Sequence, residues 1–285
     1  MSNTPKVFYI SGSSSGFGLI LTNKLLEKGC YVAATSRDKQ KLTKNVEQSF
    51  VTENNFLALE VDVKSDESVK KSIEDTISKF SRIDVVINNC GYSQYGALEE
   101  LSDEEITECF NVNVFGYIRV IRNSLPHLRA NKTFPEGPRI INISSSSGFS
   151  SYLPGIGIYG ATKHAVEGLS ESLSQELLEF GIHVTTILPG PYRTNFSNNI
   201  QSPKNPIPEY TSVRKSEAMF SEQSGKQAGD PYTGSDCIID VAFLEKPPVH
   251  FWLGKSAHDA AKRKMERVTE DLKVLYDQSI NTQYK

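Results

Sequence analysis

Short apolar, β-rich runs alternate with longer segments of helical periodicity along most of this chain, and that alternation restricts its fold more than any other feature. The runs at 7–11, 31–35, 56–61, 83–88, 139–143, 182–188 and 249–253 read as strands. They are apolar throughout instead of alternating polar and apolar, the pattern of strands covered on both faces, and so imply a parallel sheet between helical layers. Between the third and fourth runs, Val69, Ile73, Ile77 and Phe80 recur at helical spacing after a candidate cap at Ser65 or Asp66. Ser102-Asp103-Glu104-Glu105 reads as a capping box. Ala165, Leu169, Leu173 and Leu177 form a stripe that ends before Gly181, a candidate C-cap, and that reads as core or subunit interface. The pattern predicts an α/β, doubly wound parallel sheet of about seven strands with helices on both faces.

A length of 285 residues admits one large α/β unit or two small ones. Neither an internal repeat nor a linker is visible, so one domain over 1–285 is expected. The pattern breaks between Phe196 and Tyr232, where Pro203, Pro206 and Pro208 cluster, and an irregular substrate lid over 196–232 is expected there. A charged helix is expected around 256–276; the alternating signs of Lys262-Arg263-Lys264-Met265-Glu266-Arg267 read as a solvated face.

The net charge of −3, with no basic cluster interleaved with aromatics, gives no footprint for nucleic acid. No stretch approaches ~18 consecutive apolar residues, so no membrane span is expected. The opening Met1-Ser2-Asn3-Thr4-Pro5-Lys6 lacks the apolar run of a signal peptide. Cys30, Cys90, Cys109 and Cys237 are scattered without pairing or metal-type spacing. No metal site is therefore expected, and the usage fits a reducing compartment, with the cytoplasm as default. Cys30 and Cys109 read as small buried hydrophobes. Cys90 lies in the turn Asn88-Asn89-Cys90-Gly91 and is expected to line a cofactor site; no histidine neighbours it in sequence to make it a nucleophile.

Ser11-Gly12-Ser13-Ser14-Ser15-Gly16-Phe17-Gly18 follows the first strand and precedes a helical run, which is the context of a dinucleotide site. Glycines there let the backbone turn tightly and approach a pyrophosphate that rests on the helix N-terminus. The spacing is Gly-x-x-x-Gly-x-Gly, not the commoner Gly-x-Gly-x-x-Gly. Farther on, Tyr159 and Lys163 stand four apart and share one helix face, so the ammonium can sit beside the phenol. A free phenol titrates near ~10, too high to trade protons well at neutral pH; a neighbouring cation lowers it.

With Asn113-Val114-Phe115-Gly116, Ile141-Asn142-Ile143-Ser144-Ser145 and Pro189-Gly190-Pro191-Tyr192-Arg193-Thr194 added in order, the chain resembles the short-chain dehydrogenase/reductase family, in its non-extended branch. The match runs from about Val7 to Phe196, and the segments at 33–38 and 168–180 resemble its steroid and retinol dehydrogenases. The resemblance implies a Rossmann-type fold and an oxidoreductase acting on a carbonyl or secondary alcohol. In it Tyr159 would be the general acid or base, and Lys163 would hold the nicotinamide ribose and lower the tyrosine pKa. Asn113 would kink its helix and hold a water that relays protons to Lys163. A serine would hydrogen-bond the substrate oxygen. Counting forward from Asn142 selects Ser145, and counting back from Tyr159 by the family's usual spacing selects Ser146; Ser145 is the expectation.

The cofactor would lie on Gly12, Ser14, Ser15, Gly16, Phe17 and Gly18, with Asp62 and Val63 flanking the adenine and Asn89, Cys90 and Gly91 on the adenosine side. Pro189, Gly190 and Thr194 would meet the nicotinamide end, Thr194 at its carboxamide. An acid closing the second strand would bind the ribose hydroxyls of NAD. This chain has Ser36-Arg37 instead, and a guanidinium grips a 2′-phosphate, so NADP is expected over NAD; Asp38 weakens that case if it pairs with Arg37. Tyr92, Tyr95, Phe149, Tyr152, Leu153, Tyr192, Phe196, Tyr210, Met219 and Phe220 fall on the loops where substrate would sit, which favours an apolar or aromatic carbonyl or alcohol. His164 points off the Tyr/Lys face, and Arg193 salt-bridges locally or meets a polar substrate end. Family members are commonly dimers or tetramers, so a homodimer or homotetramer is expected. A catalytically silent nucleotide sensor on the same fold is the rival reading, and it usually lacks the tyrosine or lysine kept here.

Overall fold

The computed structural model describes residues 5–134 and 136–284, so the reading of Met1–Thr4 lies outside them. The strands are β1 (Val7–Ile10), β2 (Tyr31–Ser36), β3 (Phe56–Glu60), β4 (Val85–Asn88), β5 (Ser93–Gln94), β6 (Arg139–Ile143), β7 (His183–Pro189), β8 (Ile200–Gln201) and β9 (His250–Leu253). The helices are α1 (Gly16–Glu27), α2 (Lys39–Asn45), α3 (Asp66–Phe80), α4 (Asp103–Phe110), α5 (Gly116–Ala130), α6 (Gly157–Glu176), α7 (Thr211–Glu222), α8 (Pro231–Phe243), α9 (Lys255–Asp271) and α10 (Tyr276–Ile280). Seven strands form one parallel sheet in the order β3-β2-β1-β4-β6-β7-β9. It is the doubly wound sheet that the alternation implies.

Successive side chains of β1 point to opposite faces, and both faces are buried. Phe8 and Ile10 join Leu21, Leu25, Ile87, Ile141 and Ile238 on one side. Val7 and Tyr9 join Ile73, Val86, Val120, Ile140 and Val184 on the other. The stripe on α6 belongs to this second core: Leu173 and Leu177 are buried in it and Leu169 packs against it. Local signals set the helix ends. Ser65 Oγ accepts from Ser68 N at 3.2 Å and opens α3. Ser102 and Glu105 form the capping box of α4, and Gly181, at φ 69°, closes the turn after α6. Connections run to opposite sides of the sheet on either side of the β1–β4 pair, which leaves a crevice beyond the strands' carboxyl ends.

The expectation of an irregular 196–232 is corrected. β8 within it pairs in parallel with β5, and α7 takes up twelve residues. A third apolar cluster, Tyr95, Ala97, Ile156 and Val213 with Ile200, Tyr210 and Phe220, supplies the reason. The prolines break periodicity locally, and burial against distant residues orders the segment. In the charged helix α9, Lys262, Arg263, Met265, Glu266 and Arg267 are exposed, while Ala257 and Ala261 are buried and Lys264 and Arg267 lie over the Tyr152 ring, 5.4 and 4.3 Å from its centroid.

Candidate active site

The glycine turn and the loop after β4 brace each other across the crevice. Gly12 has φ 71°, and a Cβ on it would lie 2.8 Å from Cys90 Cα, so a side chain there would drive the loops apart. Asn89 Nδ2 donates to Ser11 O at 3.1 Å and Gly12 O at 2.9 Å, while Ser11 Oγ accepts from Asn89 N at 3.0 Å. A Cβ on Gly18 would collide with Gly12 O, so that glycine brings the start of α1 onto the turn. Ser15 makes no side-chain cap for α1, which leaves first-turn N–H groups free to meet an anion in the cleft.

A cleft of about 1290 Å³ opens over these loops. Every residue expected to hold the cofactor or do chemistry lines it, except Gly18 and Asn113. Gly18 acts by packing. Asn113 is fully buried in a π-helical turn, Asn111–Phe115, that joins α4 to α5. Its Nδ2 donates to Tyr92 O at 2.9 Å and Thr162 Oγ1 at 3.1 Å, and its Oδ1 accepts from Tyr92 N at 3.1 Å. The side chain thus ties the loop after β4 to the helix bearing Lys163.

Tyr159 and Lys163 occupy one face of α6, as their spacing requires, and are 8% and 3% exposed. Lys163 Nζ donates to Ile143 O at 2.9 Å, a carbonyl that also accepts from Tyr117 Oη at 2.9 Å. Burial pushes the Lys163 ammonium down to about 8. Burial also pushes the Tyr159 phenol up to about 12, against the opposing pull of the Ser145 hydroxyl. Burial outweighs that pull in the phenol as it stands here, without the charge of an oxidised nicotinamide ring beside it. Nζ stands 5.9 Å from the Tyr159 ring centroid and is turned to Ile143, and removal from water disfavours the charged form of both groups. Of the two candidate serines, Ser145 is the one whose hydroxyl acts on Tyr159. Its Oγ also accepts from Ser147 N at 3.1 Å, which fixes the turn after β6.

At the far end, Asp38 Oδ1 accepts from Lys41 N at 2.8 Å and caps α2. It is thus turned to its helix, and among the described residues Arg37 makes no ion pair. Of the expected substrate residues, Tyr92, Tyr95, Tyr152, Leu153, Tyr192, Phe196 and Phe220 line the cleft. Phe149, Tyr210 and Met219 do not. Phe149 packs edge-on to Trp252, Tyr210 Oη donates to Glu99, and Met219 faces outward. Arg193 donates to Gln227 O and anchors its loop, and His164 is exposed. Ser11, Tyr117 and Thr162 escaped the sequence reading; a polar side chain within a buried run was the available signal for each.

The model of the short chain dehydrogenase family matches residues 6–205. This chain belongs to that family. It is 34% identical over 249 residues to the Bacillus subtilis oxidoreductase YusZ, covering 83% of this chain and 84% of that one. It is 38% identical over 195 residues to the 3-ketodihydrosphingosine reductase of Bacteroides thetaiotaomicron, covering 68% and 67%. A short-chain dehydrogenase structure from Streptomyces avermitilis superposes with a TM-score of 0.88 at 30% identity, over 99% of this chain and all of that one. Other solved chains of this fold hold NADP in one case and NAD in another, so the neighbours bind nicotinamide dinucleotides without a shared preference. Among the described residues no helix is long and apolar enough to cross a membrane.

Proposed function

We propose that this short chain dehydrogenase is an NADP(H)-dependent carbonyl reductase, reversible as a secondary-alcohol dehydrogenase, acting on an apolar ketone of steroid, retinoid or aromatic type. The observation that carries the reading is the gathering of Ser145, Tyr159 and Lys163 in the same cleft as the glycine turn. The cradle fits a dinucleotide, since Gly12 and Gly18 leave no room for side chains and the start of α1 is uncapped. Gly12, Ser14, Ser15, Gly16 and Phe17 would hold the pyrophosphate side, and Arg37 the 2′-phosphate. Asp62, Val63, Asn89, Cys90 and Gly91 would flank the adenosine, and Lys163, Pro189, Gly190 and Thr194 the nicotinamide half. When bound, the nicotinamide supplies the hydride donor or acceptor.

The chain's own residues handle the proton. A phenol at about 12 keeps its proton at neutral pH, the state that donates to a carbonyl oxygen as it gains charge. Ser145 Oγ would donate a hydrogen bond to the same oxygen. Lys163, at about 8, is still mostly protonated at pH 7 and favours the phenolate left behind. The Phe196 ring stands beside the phenol, its centroid 5.9 Å from that of Tyr159. The Bacteroides relative's name supports reduction of a ketone, and the absence of an acid at the end of β2 supports NADP. Reducing conditions in the cytoplasm and a homodimer or homotetramer complete the proposal.

The test is NADPH oxidation with steroid ketones, retinal, aromatic aldehydes, diketones and small sugars. Tyr159→Phe should lower turnover at least ~100-fold, and Ser145→Ala should lose more than Ser146→Ala. Near-wild-type turnover in Tyr159→Phe would sink the mechanism.

A further inference from the structure

The segment that covers the outer side of the cleft is fastened by three carboxylates, of which Glu105 lines the cleft and Glu99 and Glu100 stand behind it. Glu100, on the 3-10 turn Leu98–Glu100, is 2% exposed. Its Oε2 accepts from Ala97 N at 2.7 Å and its Oε1 from Ile207 N at 2.7 Å. Both oxygens accept from Arg214 Nη2, at 2.9 and 2.7 Å, and Arg214 Nη1 also donates to Glu217 at 3.0 Å. Beside it, Glu105 Oε1 accepts from Lys204 N at 3.0 Å, and Tyr210 Oη donates to Glu99 Oε2 at 2.6 Å. Glu99, Glu100 and Glu105 thus grip Lys204, Ile207, Tyr210 and Arg214, across a stretch of chain whose prolines allow no sheet ladder.

What the clasp holds does reach the cleft. Ile200 and Ser202 line it before the clasp, Lys204 lines it within the clasp, and Phe220 and Gln223 line it after. Phe220 stands edge-on to Tyr95 at 5.9 Å, and Tyr95 Oη donates to Pro154 O at 2.8 Å, which links α7 to the loop before the catalytic helix. A carboxylate with no exposure is tolerated only while its partners stay in place. If the wall lifted, Glu100 would lose Arg214 and the Ile207 amide together. The wall is therefore either docked with its charges paired or released with them stranded.

We propose that Arg214 is a positioning residue for substrate selection. Through Glu100 it holds Ile200, Lys204 and Phe220 as a preformed wall, so that bulky apolar carbonyls are selected by fit to a standing pocket. The proposal rests on the carbonyl reductase reading for its substrate and on the clasp alone for its mechanics, and the experiment separates the two. Wild type, Arg214→Met and Arg214→Lys are assayed with NADPH and either androstenedione or diacetyl. Amide hydrogen exchange is followed in each protein, and NADPH affinity is measured by titration.

Arg214→Met should raise KM for androstenedione about tenfold, equivalent to ~1.4 kcal/mol. It should leave kcat and KM for diacetyl and the NADPH Kd within about twofold, and it should speed exchange across 204–222 while β1, β4 and β6 stay protected. Arg214→Lys, which keeps the charge but not the forked contact, should fall between the two. Equal losses with both ketones and with NADPH would show a general structural role and overturn the proposal, as would unchanged exchange over 204–222. If wild type leaves androstenedione unreduced, the apolar-carbonyl reading falls, and exchange over 204–222 then decides the clasp by itself.

Discussion

At the residue scale, Lys163 is held where its charge is disfavoured. Lys163 is buried and its pKa falls from 10.5 to about 8, so the folded chain bears the penalty of a desolvated ammonium. Because the folded value lies below the unfolded one, that penalty is complete below about pH 8 and fades as pH rises toward 10.5. Lys163→Met should remove it. We expect the variant, free of cofactor, to melt above wild type at pH 7, with an advantage on the order of 3 kcal/mol that vanishes near pH 10, although its activity is lost. Thermal unfolding of both proteins across that range checks this; a variant less stable than wild type at pH 7 would refute it. If Lys163 has the proposed role, this is stability given up for activity, a common trade-off.

The element scale shows how the edge of the sheet is tied to α6. His250 of β9 places Nδ1 3.0 Å from Glu167 and Nε2 3.2 Å from Glu171, both on α6, one and two turns beyond Lys163. The hydrogen bond to Glu167 raises the imidazole pKa above 6.5. With the folded value raised, the contact stabilises fully below pH 6.5 and is lost as pH climbs through the raised value. The melting temperature of wild type should therefore exceed that of His250→Gln at acid pH, and the two should converge at alkaline pH. A gap independent of pH would mean that the histidine contributes by packing alone. Capping was legible here in advance: Ser65, Ser102 and Gly181 mark helix ends in the sequence and mark them in the structure.

For the whole molecule, the cleft joins loops from the glycine turn to α9, so a cofactor bound in it ties both halves of the sheet together. A ligand that binds the folded chain alone stabilises it by mass action, about 2.7 kcal/mol at a hundredfold excess over Kd. NADPH should raise the melting temperature more than NADH at equal concentration, and Arg37→Ala should erase that difference while leaving the NADH shift in place. Equal loss of both shifts would defeat the assignment of Arg37 to a 2′-phosphate.

Much of this protein is local and was therefore open to reading along the chain. Buried strands declare themselves by continuous apolar runs, helix ends by caps, and the tight turn after β1 by glycines spaced between a strand and a helix, because each depends on neighbours within a few residues. Tertiary structure alone decided the rest. Asn89 meets Ser11 across 78 residues, and Glu100 meets Arg214 across 114. The ordering of 196–232 comes from such contacts, against the local signal of its prolines. The upward shift of Tyr159, the downward shift of Lys163 and the approach of the Ser145 hydroxyl to the phenol depend on burial and on which groups face each other. Those are properties of the packed chain, since the free energy of a charge is set by the medium around it.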